Sequence, residues 1–146
     1  MPSNLELAAK VGEILPTGNW VAIMSDEGEL GHRLDALREL AWPDLETTMV
    51  GPGGFTGTFQ GIDGFREAWQ DWLRPFQTYE VEIEDIKDTG EQVIVLAHHT
   101  ATTHESEAPM REPAAAVMTF RGGRLARLEF TRDPAQAMRS VGLEPE

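Results

Sequence analysis

The sequence predicts a single α+β domain, and three observations carry that expectation. Helical patterns fill the N-terminal third, and period-two alternation with turn residues fills the region after residue 78. Between them lies one strongly two-sided stretch, Gly61 to Phe76, GIDGFREAWQDWLRPF. There Ile62, Phe65, Trp69, Trp72, Leu73 and Phe76 recur at steps of three and four, the spacing of one helix face. Arg66, Glu67, Gln70, Asp71 and Arg74 fill the opposite side. Asp63 is placed to cap the first turn, and Pro75 marks the exit. A helix this lopsided has to lie on something, and the chain beyond it is almost all strand. Its aromatics are either core or the walls of a pocket between helix and sheet.

The other elements come in order. Asn4 to Leu15 reads as a first helix with Leu7, Ala8, Val11, Ile14 and Leu15 on one face, capped by Ser3 or Asn4 and ended by Pro16 and Gly18. Asn19 to Met24 is a short second helix, closed by the polar run Ser25 to Glu29. Leu30, Leu34, Leu37, Leu40 and Ala41 make a third, closed by Pro43. Asp44 to Val50 is a strand running into Gly51-Pro52-Gly53-Gly54, a turn that lacks the Lys-Ser/Thr ending of a phosphate loop. Phe55 to Gln60 adds a short strand. After the central helix, Tyr79, Val81 and Ile83 alternate with Glu80, Glu82 and Glu84, the pattern of a half-exposed strand. Gln92 to His104 and Arg111 to Arg121 are long strands on either side of a polar loop. Gly122-Gly123 makes a hairpin to the last strand, Arg124 to Arg132. Asp133-Pro134 opens a short helix that Gly142 ends.

Composition narrows the function. The 146 residues are 40% hydrophobic and 25% charged, the profile of one globular domain with a sizeable core. A net charge of −13 argues against nucleic acid and against an anionic membrane surface. Cysteine is absent, which excludes disulfides, thiol nucleophiles and zinc–thiolate sites. No run approaches the ~20 apolar residues of a membrane span, and the N-terminus lacks the basic-then-apolar pattern of a signal peptide, so a cytoplasmic protein is expected.

The element order, with the segments GIDGFREAWQDWLRPF, DTGEQVIVLAHH and TFRGGRLARLEFTRDPAQAMRSVGL, resembles the SnoaL-like proteins of the nuclear transport factor 2-like superfamily over roughly residues 30 to 143. That superfamily includes ketosteroid isomerases, polyketide cyclases and limonene epoxide hydrolase. The resemblance implies a cone-shaped, curved antiparallel sheet of five or six strands around three or four helices, with a mostly apolar pocket inside. It also implies a homodimer through the outer sheet face. Because the fold hosts enzymes and non-enzymes, it does not by itself supply an activity.

The same resemblance sorts the polar residues. It turns the face of Val93, Val95, Ala97, His99, Ala101 and Thr103 inward, together with Ala114, Ala116, Met118 and Phe120, and with Ala126, Leu128 and Phe130. Outside would lie His98, Thr100, Thr102, His104, Arg127 and Glu129, the patch expected at a dimer interface. The carboxylate base of ketosteroid isomerases would fall among Thr48, Met49, Val50 and Gly51, and their neutral acid at Ala116; the sole tyrosine is Tyr79. The acidic positions of the epoxide hydrolase match His99 and Phe130. Neither known apparatus is present.

His99 is the remaining catalytic candidate: a neutral imidazole in an apolar pocket would serve as general base or donor for proton abstraction beside a carbonyl. The alternative is a histidine bonded to a neighbour and packed, since no carboxylate partner is evident on its face. A metal site from His98, His99 and His104 is disfavoured, because His98 and His104 lie about 20 Å apart on a strand and His99 points the other way. No serine has a nucleophile-elbow context, and His32 falls at a helix start facing solvent. Trp20 and Trp69 are the expected pocket walls, with Met118, Phe120 and Phe130 opposite, a lining suited to a small hydrophobic molecule. No cofactor is implied. Two readings stay open: a ligand-binding protein with cyclase- or isomerase-type acid–base chemistry at His99, and a non-catalytic binding or dimerisation module.

Overall fold

A computed structural model describes residues 3–14, 19–51, 54–105 and 108–143. Among these, six strands and five helices run in the order α1 (Asn4–Ile14), α2 (Trp20–Ser25), α3 (Glu27–Leu40), β1 (Ala41–Gly51), β2 (Gly54–Gln60), α4 (Gly61–Leu73), β3 (Phe76–Asp88), β4 (Gln92–Thr103), β5 (Met110–Arg121), β6 (Arg124–Thr131) and α5 (Pro134–Ser140). Leu15, Pro16, Gly18, Pro52, Gly53 and Ser106 lie outside the described residues.

The helices begin where the chain supplies acceptors. Ser3 Oγ accepts the Glu6 amide, and Asn19 caps α2 by accepting from Val21. Asp26 caps α3 through the amides of Gly28 and Glu29, so the polar run expected as a break is already the first turn of a helix. Asp133 caps α5 with Pro134 at its start, as expected. Asp63 does not cap α4: that helix begins two residues earlier, after Gln60, with no side-chain cap. Its apolar stripe otherwise matches the expectation, with Ile62, Phe65, Ala68, Trp69 and Leu73 buried. Phe76 belongs to β3 instead, since the chain leaves the helix before Pro75. Gly64 lets α4 lie directly on β2, because a Cβ there would stand 3.0 Å from the Phe59 backbone.

The sheet runs β2-β1-β6-β5-β4-β3, open and curved, with β2 and β3 at its edges. It is not wholly antiparallel: β1 pairs with β6 in parallel across the middle. Pro43 therefore sits inside β1 without ending it. Register shifts at Met49/Val50, Ile83/Asp85 and Thr119/Phe120 bend the strands. They also flip the alternation locally, so that Ile86 rather than Asp85 continues the row of Ile83, and Leu125 rather than Ala126 is fully buried. Gly122 and Gly123, both at positive φ (59° and 80°), form the hairpin that closes Arg121 onto Arg124.

Helices α1 to α4 fill the concave face and build the main core with Leu7, Val11, Trp20, Leu37, Phe65 and Trp69. A second, smaller core lies on the convex face, where Ala137 and Met138 of α5 cover Ile94, Ala115 and Val117. Val93, Ile94 and Val95 are consequently buried in succession, since β4 is covered on both sides. Among the described residues no helix is long and apolar enough to cross a membrane.

Candidate functional site

The concave face is organised in rows, because successive inward positions of each strand lie two residues apart. One row brings Val95, Ala116, Phe130 and Met49 side by side across β4, β5, β6 and β1. The next but one places Val81, His99 and Glu112 opposite one another. This ladder creates two different environments.

The first is a cavity of about 50 Å³ between the helices and the sheet. Its walls include Trp20 and Trp69 on the helix side and Val95, Met118, Leu128 and Phe130 on the sheet side. Trp20 and Trp69 stack at 5.4 Å with planes 13° apart, and the Arg33 guanidinium covers Trp20 at 5.8 Å. Of the five hydrophobic residues expected to line a pocket, four do so. Phe120 does not: beyond the register shift it pairs with Leu125 and packs into the core. An apolar cavity of about 150 Å³ stays dry and takes benzene; this one has walls as apolar and about a third of that volume.

The second environment is polar. His99 is fully buried, and its ring joins a chain of hydrogen bonds. Trp72 Nε1 donates to the Tyr79 hydroxyl at 3.2 Å, and that hydroxyl lies 2.6 Å from His99 Nδ1. The Glu112 carboxylate facing Nε2 can only accept, so a neutral His99 keeps its proton on Nε2 and Nδ1 accepts the tyrosine's proton. Nδ1 is then the bare nitrogen, and Nε2–H faces Glu112 Oε2 at 3.4 Å. Arg132 donates to the same carboxylate oxygen. Asn19 fixes the tyrosine in place, accepting the Tyr79 backbone amide at 3.0 Å while it caps α2.

Two of these residues are absent from the sequence-based candidates although the signal is there. Glu112 stands two positions before Ala114, and Tyr79 two before Val81, so the alternation that turns those neighbours inward also applies to them. The expectation of no carboxylate partner on the face of His99 is thus corrected by Glu112. The inward face of β5 runs through Glu112 and on to Met110, which packs against the main core.

Charges are settled by surroundings. Burial lowers the His99 pKa below its usual 6.5, and Glu112 raises it only in part. Burial pushes the Tyr79 hydroxyl well above its usual 10.0. The Arg132 hydrogen bond holds Glu112 below the usual carboxylate range. The resting state is therefore neutral tyrosine, neutral imidazole and a Glu112–Arg132 ion pair at the rim, where Glu112 is 39% exposed. His99 and Glu112 both bind protons more readily in the unfolded chain. Stability is accordingly full above the unfolded histidine value and falls as pH drops below 6.5, with a further loss below 4.5 from Glu112. Urea titrations between pH 7.5 and 5 are expected to show this slope, and His99→Asn to flatten it.

Neither nitrogen of His99 is free, and the His99 ring is not part of the cavity wall; Trp69 and Phe130 stand among the walls while Trp69 also meets Tyr79 edge-on at 6.1 Å. On the convex face His98 pairs with Glu84, and Thr102 Oγ1 meets Thr78 Oγ1 at 2.7 Å. Among the described residues no three histidine or carboxylate groups are placed to hold a metal.

An open, curved α+β sheet wrapped on helices, with its cavity on the concave side, defines the nuclear transport factor 2-like class. A family model, the SnoaL-like domain, matches residues 20–128, and the chain belongs to that family. Solved structures agree on the fold. An NTF2-like protein from Burkholderia thailandensis superposes with a TM-score of 0.66 at 19% identity, over 94% of this chain and 98% of that one. A candidate SnoaL-like polyketide cyclase from Jannaschia sp. CCS1 gives 0.62 at 19% identity, over 99% of both chains. A protein of ketosteroid isomerase-like fold from Catenulispora acidiphila, solved in complex with trimethylamine, gives 0.58 at 17% identity, over 97% of this chain and 95% of that one. No curated protein matches the chain.

Proposed function

We propose that this SnoaL-like protein binds a small hydrophobic molecule between the stacked Trp20–Trp69 pair and the concave sheet. The observation that carries the proposal is a cavity with apolar walls between the helices and the concave sheet. Solved proteins of the same fold support it, one in complex with trimethylamine and another, TerC, co-crystallised with polyporic acid. In this reading His99 is a positioning residue that holds Tyr79 under the binding chamber, and the protein is a cytoplasmic binding module.

The test is to titrate the protein with 2-methyl-1-butene and monitor the methyl resonances of Val95, Met118 and Leu128. Saturable shifts at these residues are expected. Ala116→Leu, which adds three carbons to the cavity wall, should abolish them while changing stability by no more than about 2 kcal/mol. Absence of any shift in the wild type removes the proposal.

A second reading is favoured by the ordered Tyr79–His99–Glu112 chain, one end of which lies against Trp69. In it the chain moves a proton during cyclase- or isomerase-type chemistry, with Tyr79 as donor and His99 as its acceptor partner. Dimerisation belongs here too. Helix α5 already covers Ile94, Ala115 and Val117, so two copies meeting on the convex face would use the polar strip of His98, Thr100 and Arg111 beside it.

A further inference from the structure

Helix α1 carries a glycine that neither its backbone nor its packing requires. Gly12 lies in the last turn of α1, one helical turn after Ala8, and so continues the face that Leu7, Ala8 and Val11 bury. Glycine in a helix costs stability relative to alanine, because its backbone gives up more freedom. Two needs can justify that cost, and neither is present. The φ angle of Gly12 is not positive. Nor does another chain segment pass too close for a side chain. Beyond its own helix and among the described residues, a Cβ at position 12 would meet only Ile83 Cδ1, at an ordinary 3.5 Å. Gly64 is the contrast, with the Phe59 backbone 3.0 Å from such a Cβ. What Gly12 and Ile83 share is the cavity, since both stand in its wall.

We propose that Gly12 sets the size of the molecule this protein takes: one end of the ligand occupies the place of the missing side chain, between α1 and Ile83 of β3. The inference rests on the binding function proposed above and adds to it the residue that limits its ligand. Val81 and Ile83 present only carbon beside that place, which suits a methyl or ethyl end. With a cavity of about 50 Å³, the volume of a single methyl group decides whether such an end fits. An alanine at position 12 would make the helix more stable and the cavity shorter. The glycine trades the first for the second.

The experiment compares 2-methyl-1-butene with 2-methylpropene, one carbon shorter, on the wild-type protein, Gly12→Ala and Gly31→Ala. Gly31 is the control: it is helical, a Cβ there would meet nothing within 4 Å, and it does not line the cavity. Both substitutions are expected to raise the melting temperature by about 3 °C, the gain from replacing a helical glycine. Only Gly12→Ala is expected to change selectivity, lowering the affinity for 2-methyl-1-butene relative to 2-methylpropene about ten-fold. In the wild type, bound 2-methyl-1-butene is expected to give a nuclear Overhauser effect to the Gly12 Hα protons. Binding without that effect, or an unchanged affinity ratio in Gly12→Ala, overturns the role of Gly12 and leaves the binding function intact. A Gly12→Ala protein that is less stable than the wild type, or fails to fold, shows that the place is already filled and overturns it too. No binding of 2-methyl-1-butene to the wild type overturns both this inference and the binding function.

Discussion

Trp69→Ala is expected to lower the stability of the fold by about 4 kcal/mol, a fall of roughly 12 °C in the melting temperature. The reason is the number of partners that one ring serves. Trp69 stacks on Trp20, leans on Phe65 and Phe130, and meets the edge of Tyr79. Removing it joins the existing cavity to the space the indole vacates, and a void of that size in an apolar wall collapses only in part. Trp42→Ala is the informative control. Trp42 is half-buried beside the hairpin, where its Nε1 donates to the Arg121 carbonyl and Arg121 and Arg124 cover its ring. That substitution is expected to cost only about 1 kcal/mol, because water replaces most of what is lost. Equal losses for the two variants in urea unfolding would show that the stacked pair is not the centre of the core.

His99→Ala is expected to cost about 3 kcal/mol, from the lost packing of a fully buried ring and from leaving the Tyr79 hydroxyl without its acceptor. Tyr79→Phe alone should cost about 2 kcal/mol, since it removes two hydrogen bonds, the one from Trp72 and the one to His99. The two effects are not additive. Once His99 is gone, removing the stranded hydroxyl should return part of the loss, giving a coupling of about 1–2 kcal/mol in a double-mutant cycle. Strict additivity would mean that the 2.6 Å contact contributes nothing in solution. Glu112→Gln tests the far end of the chain: it loses the ion pair with Arg132 but keeps an acceptor for His99, so a milder loss than in His99→Ala is expected.

Most of the architecture was legible because it rests on periodicity. The stripe of α4, the alternation from Tyr79 to Ile83 and the Gly122-Gly123 turn are local patterns, and each stands where expected. What a local pattern cannot carry is an event between strands. The register shift at Thr119/Phe120 depends on how β5 meets β6, so it moves Leu125 inward and takes Phe120 away from the cavity. The parallel pairing of β1 with β6 joins residues about eighty positions apart, and Pro43 misleads because prolines more often end elements than sit within them. The site was half legible for the same reason. The inward face of β4 located His99, but its bonding needed one residue from each of two neighbouring strands, Tyr79 and Glu112, and a third, Arg132, just past the end of β6.

The position of β3 at the margin of the sheet bears on what can pair with it. A thirteen-residue margin with open backbone groups is long enough to recruit a strand from another molecule. Here Asn19 occupies the Tyr79 amide, and Glu80, Glu82, Glu84, Asp85 and Asp88 line the exposed side. An incoming copy of the same strand would set carboxylates against carboxylates on a chain already carrying a net charge of −13. The acidity that names no partner thus guards this edge against pairing with a strand of another copy, most strongly in dilute salt and less as acid neutralises it.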